Sequence, residues 1–138
     1  MNVLKLDHLV LTVANIDRSV AFYCRVLGME KIVFGADRIA LAFGQQKINL
    51  HQQGQEFEPK AQRAMPGSAD LCFITETDLE TAMDQVASLD VNIIEGPVTR
   101  TGALGPITSF YFRDPDGNLI EVSNQEIRHN SGPTHIPS

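Results

Sequence analysis

Little in this 138-residue chain suits it to a membrane, a nucleic acid or an oxidising compartment. No apolar run approaches the roughly 18 residues needed to cross a bilayer. The first residues, Met1-Asn2-Val3-Leu4-Lys5-Leu6-Asp7-His8, lack the basic and long apolar regions of a signal peptide. Acidic residues outnumber basic ones 17 to 11, and the formal charge of −6 argues against a nucleic-acid or anionic-membrane surface. Cysteine is scarce: Cys24 sits in a helical pattern and Cys72 in a strand pattern, with no Cys-x-x-Cys pair. Both are expected as reduced core residues of a cytoplasmic protein. Nucleophile elbows, Cys-His pairs and phosphate-binding glycine loops are also missing, and Ser19, Ser88 and Ser123 have no nucleophile context. An apolar fraction of 43% and this length fit one domain, or two small modules sharing one core.

Hydrophobic periodicity gives the order of elements. Leu6 to Val13 alternates as a strand, with His8, Val10 and Thr12 on one face and Leu9, Leu11 and Val13 on the other. Asn15 or Asp17 caps a helix whose apolar positions Val20, Phe22, Tyr23, Val26 and Leu27 recur at helical spacing until Gly28. Short strands follow around 30–34, 39–43 and 47–52, the last placing Lys47, Asn49 and His51 on one face. Residues 53–68, broken by Pro59, Pro66 and Gly67, read as a linker. The plan then restarts: a strand over 69–75 with Asp70, Cys72 and Ile74 on one face, and a helix capped by Asp78 with stripe Leu79, Ala82, Met83, Val86 and Leu89. Strands are expected at 91–95, 109–113 and 119–123. Thr101 to Pro106 reads as a glycine-rich insertion or flap, and 126–138 as a flexible polar tail. The expected layout is thus a module over 1–52, a linker over 53–68, a second module over 69–125 and the tail.

The two halves repeat one another. His8-Leu9-Val10-Leu11-Thr12 aligns with Asp70-Leu71-Cys72-Phe73-Ile74, and Lys47-Ile48-Asn49-Leu50-His51 with Gly117-Asn118-Leu119-Ile120-Glu121. His8, His51, Asp70 and Glu121 therefore hold matching places on the first and last strands of two βαβββ modules. Before the final strand stands Tyr111-Phe112-Arg113-Asp114-Pro115-Asp116-Gly117, a strand running into a tight turn. Beyond it, Leu119, Glu121 and Ser123 share one face. A carboxylate there needs solvent or a partner. Two imidazoles and a carboxylate with open positions suit nickel, zinc, cobalt, manganese or ferrous iron, and disfavour calcium.

Taken together, Leu6 to Val13, Phe22-Tyr23 through Leu27-Gly28-Met29, His51, and Tyr111 to Gly117 leading to Glu121 resemble the vicinal oxygen chelate superfamily of glyoxalase I, fosfomycin-resistance transferases and extradiol dioxygenases. More narrowly, the chain resembles short glyoxalase-domain proteins, including bacterial members labelled virulence proteins. The resemblance spans residues 4–124. It implies an α+β fold of two βαβββ modules in a curled mixed sheet, a homodimer, and one divalent metal ion per site. It carries the ligand role onto His8, His51 and Glu121; Asp70 stands where the family more often has His or Glu, and its shorter side chain either ligates directly, reaches the metal through a water or falls short of it.

The resemblance further implies Lewis-acid chemistry on a small substrate with two adjacent oxygens, such as a thiol adduct. In a glyoxalase-like, lactoylglutathione lyase-like reaction, Glu121 stands where the family places the base. A tyrosine matching Tyr111 positions substrate in the fosfomycin-resistance branch. Arg113, on the same strand face as Tyr111, is either an anion contact or a solvated hairpin arginine. Arg38 and Arg100 are further anion candidates, Thr12 a lining residue or a plain strand residue, and Asn49 a support to His51 or a plain sheet position. The alternatives are a fosfomycin-resistance-type thiol transferase, an extradiol dioxygenase and a non-catalytic drug-binding protein. His129 and His135 are poor candidates for the extra groups a dioxygenase needs.

Overall fold

The computed structural model describes residues 1–126. The order of elements is β1 (His8–Val13), α1 (Ile16–Leu27), β2 (Glu30–Phe34), β3 (Arg38–Phe43), β4 (Gln46–Gln52), β5 (Asp70–Ile74), α2 (Leu79–Ser88), β6 (Glu95–Gly102), β7 (Gly105–Arg113) and β8 (Leu119–Gln125). This is the expected α+β plan of two βαβββ runs. The described part of the chain divides into two compact units. The first is Met1–Ala69 together with Asp114–Asn118, and the second is Asp70–Arg113 together with the residues from Leu119 on. The tail expected over 126–138 lies, apart from Glu126, outside the described residues.

In the first unit the strands order as β1-β4-β3-β2, with β1 parallel to β4 and the other pairs antiparallel. One face carries Leu11, Val13, Leu41, Ile48 and Leu50, all at most 6% exposed. Burial of such side chains contributes about 1.5–3 kcal/mol each. α1 starts where the Asn15 side chain accepts from the Arg18 N–H, so Asn15 is the cap, and it ends at Gly28 in the left-handed region (φ 65). Its Tyr23, fully buried, donates its hydroxyl to Asp114 Oδ2 at 2.6 Å. Asp114 Oδ1 also accepts from the Asp116 and Asn118 amides, and Oδ2 from Asn118 Nδ2 at 2.7 Å, so this buried carboxylate has four donors. Asn118 Oδ1 in turn accepts from the Ala69 amide at 2.8 Å. Burial first, and the Asp114 charge second, push the Tyr23 phenol far above its ordinary range.

The second unit repeats the order as β5-β8-β7-β6, with β5 parallel to β8. Ile107, Phe110, Phe112, Ile120 and Val122 are buried, as are Leu79, Ala82 and Val86 of α2. Asp78 caps this helix through its bond to the Thr81 amide.

Three expectations change here. The strand expected over 91–95 lies over Glu95–Gly102, and the presumed flap is the tip of the β6–β7 hairpin, turning at Ala103-Leu104. A register shift between Glu95 and Val98 accommodates Gly96-Pro97 at the start of β6. Cys72 is exposed rather than core, because its alternation places it with Asp70 and Ile74 on a face that this unit leaves open; Cys24 is half-buried. Both cysteines are free. No helix of the described residues is long and apolar enough to cross a membrane.

Candidate functional site

The sheet face of the first unit opposite its apolar core carries a polar row. Register sets Val10 beside Asn49 and Thr12 beside His51 on the parallel pair β1–β4, with Ala40 the β3 partner of Asn49. His51 is only 4% exposed. Arg38, at the start of β3, donates from Nη2 to His51 Nε2 at 3.3 Å. A guanidinium can only donate, so Nε2 is the acceptor. Burial first, and the Arg38 charge second, hold the His51 imidazole below its ordinary pKa, in the neutral form.

The segment read as a linker crosses this face. Phe57 packs edge-on to the His51 ring at 5.4 Å, and the Arg38 guanidinium lies 4.5 Å from the Phe57 ring centre and 5.3 Å from that of Phe34. Under this strap is a cavity of about 290 Å³. Val10, Thr12 and His51 line it from the strands; Lys60, Arg63 and Met65 line it from the strap. The strap residues were invisible to sequence reasoning, since a non-periodic segment gives no face. His8 stands apart from the cavity, exposed, with Nδ1–H donating to Asp7 Oδ1 at 2.9 Å.

The corresponding face of the second unit is organised about Glu121. Register places Cys72 on one side of it and Tyr111 on the other, with Glu95 opposite Tyr111. Arg100 Nε donates to the Tyr111 hydroxyl at 3.0 Å, and its Nη2 reaches Glu95 at 3.3 Å. Burial first, and the Glu121 charge beside it, push Tyr111 upward; the Arg100 bond opposes them. Burial likewise raises the Cys72 thiol, whose Sγ lies 3.3 Å from Ser123 Oγ, so it is a poor nucleophile at neutral pH. Asp70 is exposed beside Leu119, and Arg113 is exposed at the end of β7.

The structure therefore brings Thr12 and His51 together in one cavity, and Tyr111 and Glu121 together on one sheet face. Arg100 joins the second pair and Arg38 the first. Among the described residues, no group of three or more His, Cys, Asp and Glu side chains is gathered closely enough to hold a metal. The donor types themselves fit a borderline divalent cation. His8 has its tautomer set by a carboxylate, the arrangement usual behind a metal-bound imidazole, with Nε2 left as the lone-pair nitrogen.

The profile of the Glyoxalase/Bleomycin resistance protein/Dioxygenase superfamily matches residues 5–122. Virulence protein STM3117 of Salmonella typhimurium is 57% identical over 119 residues, covering 86% of this chain and 83% of that protein. The glyoxalase domain-containing protein RDO1 of Mycosarcoma maydis is 52% identical over 126 residues, covering 91% and 71%. Among solved structures, an integron cassette protein from the mobile metagenome of V. cholerae superposes with a TM-score of 0.90 at 66% identity, covering 91% of this chain and 98% of that one.

Proposed function

Because the chain belongs to the Glyoxalase/Bleomycin resistance protein/Dioxygenase superfamily, we propose that it is a divalent-metal-dependent, glyoxalase-type lyase or isomerase acting on a small substrate with two adjacent oxygens. The observation that carries this reading is the setting of Glu121: a carboxylate on an open sheet face, paired in register with Tyr111, whose hydroxyl accepts from Arg100 Nε at 3.0 Å. A carboxylate so placed can take a proton from a substrate lying on that face. We propose His8, His51, Asp70 and Glu121 as the donor set for one nickel, zinc, cobalt, manganese or iron ion per site. When bound, such an ion supplies Lewis-acid stabilisation of a developing oxyanion.

The residues of the chain do the rest. The Glu121 carboxylate takes the α-proton of the substrate, for example a thiol–oxoaldehyde adduct, and returns it to the neighbouring carbon, so that no external oxidant or reductant is needed. Tyr111 and Arg113 orient the substrate; Thr12 does so from the first unit. A homodimer is part of this proposal.

The test is metal content by mass spectrometry, on wild type and His51→Ala together, followed by turnover of Glu121→Gln. We expect about one divalent ion per site, lost in His51→Ala, and a fall in kcat for Glu121→Gln of roughly 10²–10⁴ with little change in substrate affinity. Full metal occupancy in His51→Ala removes His51 from the donor set. Unchanged turnover in Glu121→Gln removes Glu121 as base.

A further inference from the structure

The two imidazoles of the proposed donor set are not equally ready for a metal. His8 has its Nδ1–H held by Asp7, which leaves Nε2 as a free lone pair. In His51 the lone pair is already taken: Arg38 Nη2 donates to Nε2 at 3.3 Å, and a guanidinium can only donate. Neither ring nitrogen offers a way round. Ligation through Nε2 needs the lone pair that Arg38 holds. Ligation through Nδ1 moves the ring proton to Nε2, which then meets the guanidinium donor to donor. Arg38 and a divalent ion are therefore alternatives at this ring.

The rest of what holds Arg38 is weak enough to give way. The residue is half-buried at the start of β3, beside the turn from β2, and has no carboxylate partner among the described residues. Apart from His51, its guanidinium rests on two rings, Phe57 at 4.5 Å and Phe34 at 5.3 Å. Cation–π contacts at a half-open position are individually modest. Phe57 also stands edge-on to His51 at 5.4 Å, so the three side chains meet as a triangle. Phe57 belongs to the strap, and His51 lines the cavity beneath it.

We propose that Arg38 is a displaceable plug on His51: ligation by His51 expels the guanidinium, and the strap loses the cation that pins Phe57 to the sheet. By linkage, strap closure weakens metal binding by the same factor by which metal binding loosens the strap. The inference deepens the proposed function by giving its metal site a regulating residue. It rests on that reading only for His51 as a donor.

The test is calorimetric zinc titration of untagged full-length protein, for wild type, His51→Ala, Arg38→Met and Lys47→Met. Arg38→Met keeps an apolar stem against the rings and removes the donors. It is expected to bind zinc about tenfold to a hundredfold more tightly than wild type. Lys47, beside His8 in register and 3.8 Å from the Phe34 ring centre, carries the same charge without a bond to His51. Lys47→Met therefore measures the loss of charge alone, and should gain less than about fivefold. Two readouts on the wild type need no variant. Zinc should move the Arg38 Nε–H nitrogen resonance to that of a mobile arginine, and amide exchange at Phe57 and its neighbours should rise severalfold.

A gain in Arg38→Met no larger than in Lys47→Met overturns the inference, as does an Arg38 resonance unchanged at zinc saturation. Exchange at Phe57 that zinc leaves unchanged overturns the release of the strap. Where His51→Ala loses zinc, these results fail the inference alone. Full zinc binding in His51→Ala fails His51 as a donor and the inference with it. The expected zinc results with unchanged turnover in Glu121→Gln leave the inference standing and fail the proposed reaction instead.

Discussion

Replacing Tyr23 by Phe removes one oxygen from the centre of the first unit and tests whether the Asp114 turn is held as described. Tyr23 is fully buried and Asp114 is 5% exposed, so no solvent stands ready to replace the lost donor. The bond is 2.6 Å and reaches a carboxylate, which places it among charge-assisted bonds worth about 1.5–3 kcal/mol rather than neutral ones worth about 1. Asp114 keeps three other donors, two backbone amides and Asn118 Nδ2, so the remaining charge is not stranded. That argues for the middle of the range, about 2 kcal/mol. For a chain of this size the corresponding fall in Tm is roughly 6–10 °C. Thermal unfolding followed by circular dichroism, with the wild type alongside, reads it directly. A fall below about 2 °C would refute the claim that the hydroxyl serves a buried anion.

Two further outcomes follow from the same geometry. Gly96→Ala should be destabilised by about 2–4 kcal/mol, since a Cβ there meets Phe110 Cβ at 2.5 Å and the backbone has φ +126; a denaturant midpoint equal to wild type would contradict the close approach of β6 to β7. Glu56 has its carboxyl held below the usual 4.5, first by the Gly54 amide, then by its own amide and by Lys60. A depressed folded pKa means its contribution is complete above about 4.5 and is lost as pH falls through the lower folded value. Tm measured from pH 6 to 3 should therefore drop less steeply in Glu56→Gln than in wild type, and parallel curves would show that Glu56 does not anchor the strap.

Much of this organisation was legible because it rests on periodicity. Alternation along β1, β4, β5 and β8 set the faces of His8, His51, Asp70 and Glu121, and the repeat identified those strands as equivalent. The faces of Tyr111 and Thr12 followed in the same way. Illegible were features set by packing between segments without a period. The strap over His51 depends on Phe57, a single aromatic in a polar stretch. The link between Arg38 and His51 depends on the β3–β4 register, which hydrophobic pattern alone does not supply. The shift of β6 has a third cause: Val91–Glu95 has strand-like composition, whereas the paired strand begins at Glu95 and absorbs a Gly-Pro step through an irregularity that no propensity encodes.

The turn Asp114–Asn118 joins two strands of the second unit, yet belongs to the first. A chain written as two copies of one plan can be expected to come apart into halves. Here it cannot be cut cleanly. A fragment ending at Ala69 would keep β1 to β4 and α1 but lose Asp114, leaving the Tyr23 hydroxyl buried without its acceptor and the Ala69 amide without Asn118. The first half completes itself with five residues encoded far downstream. Circular permutants and half-length fragments of this chain must carry that peptide with them, and a swap of second halves between relatives will exchange part of the first core as well.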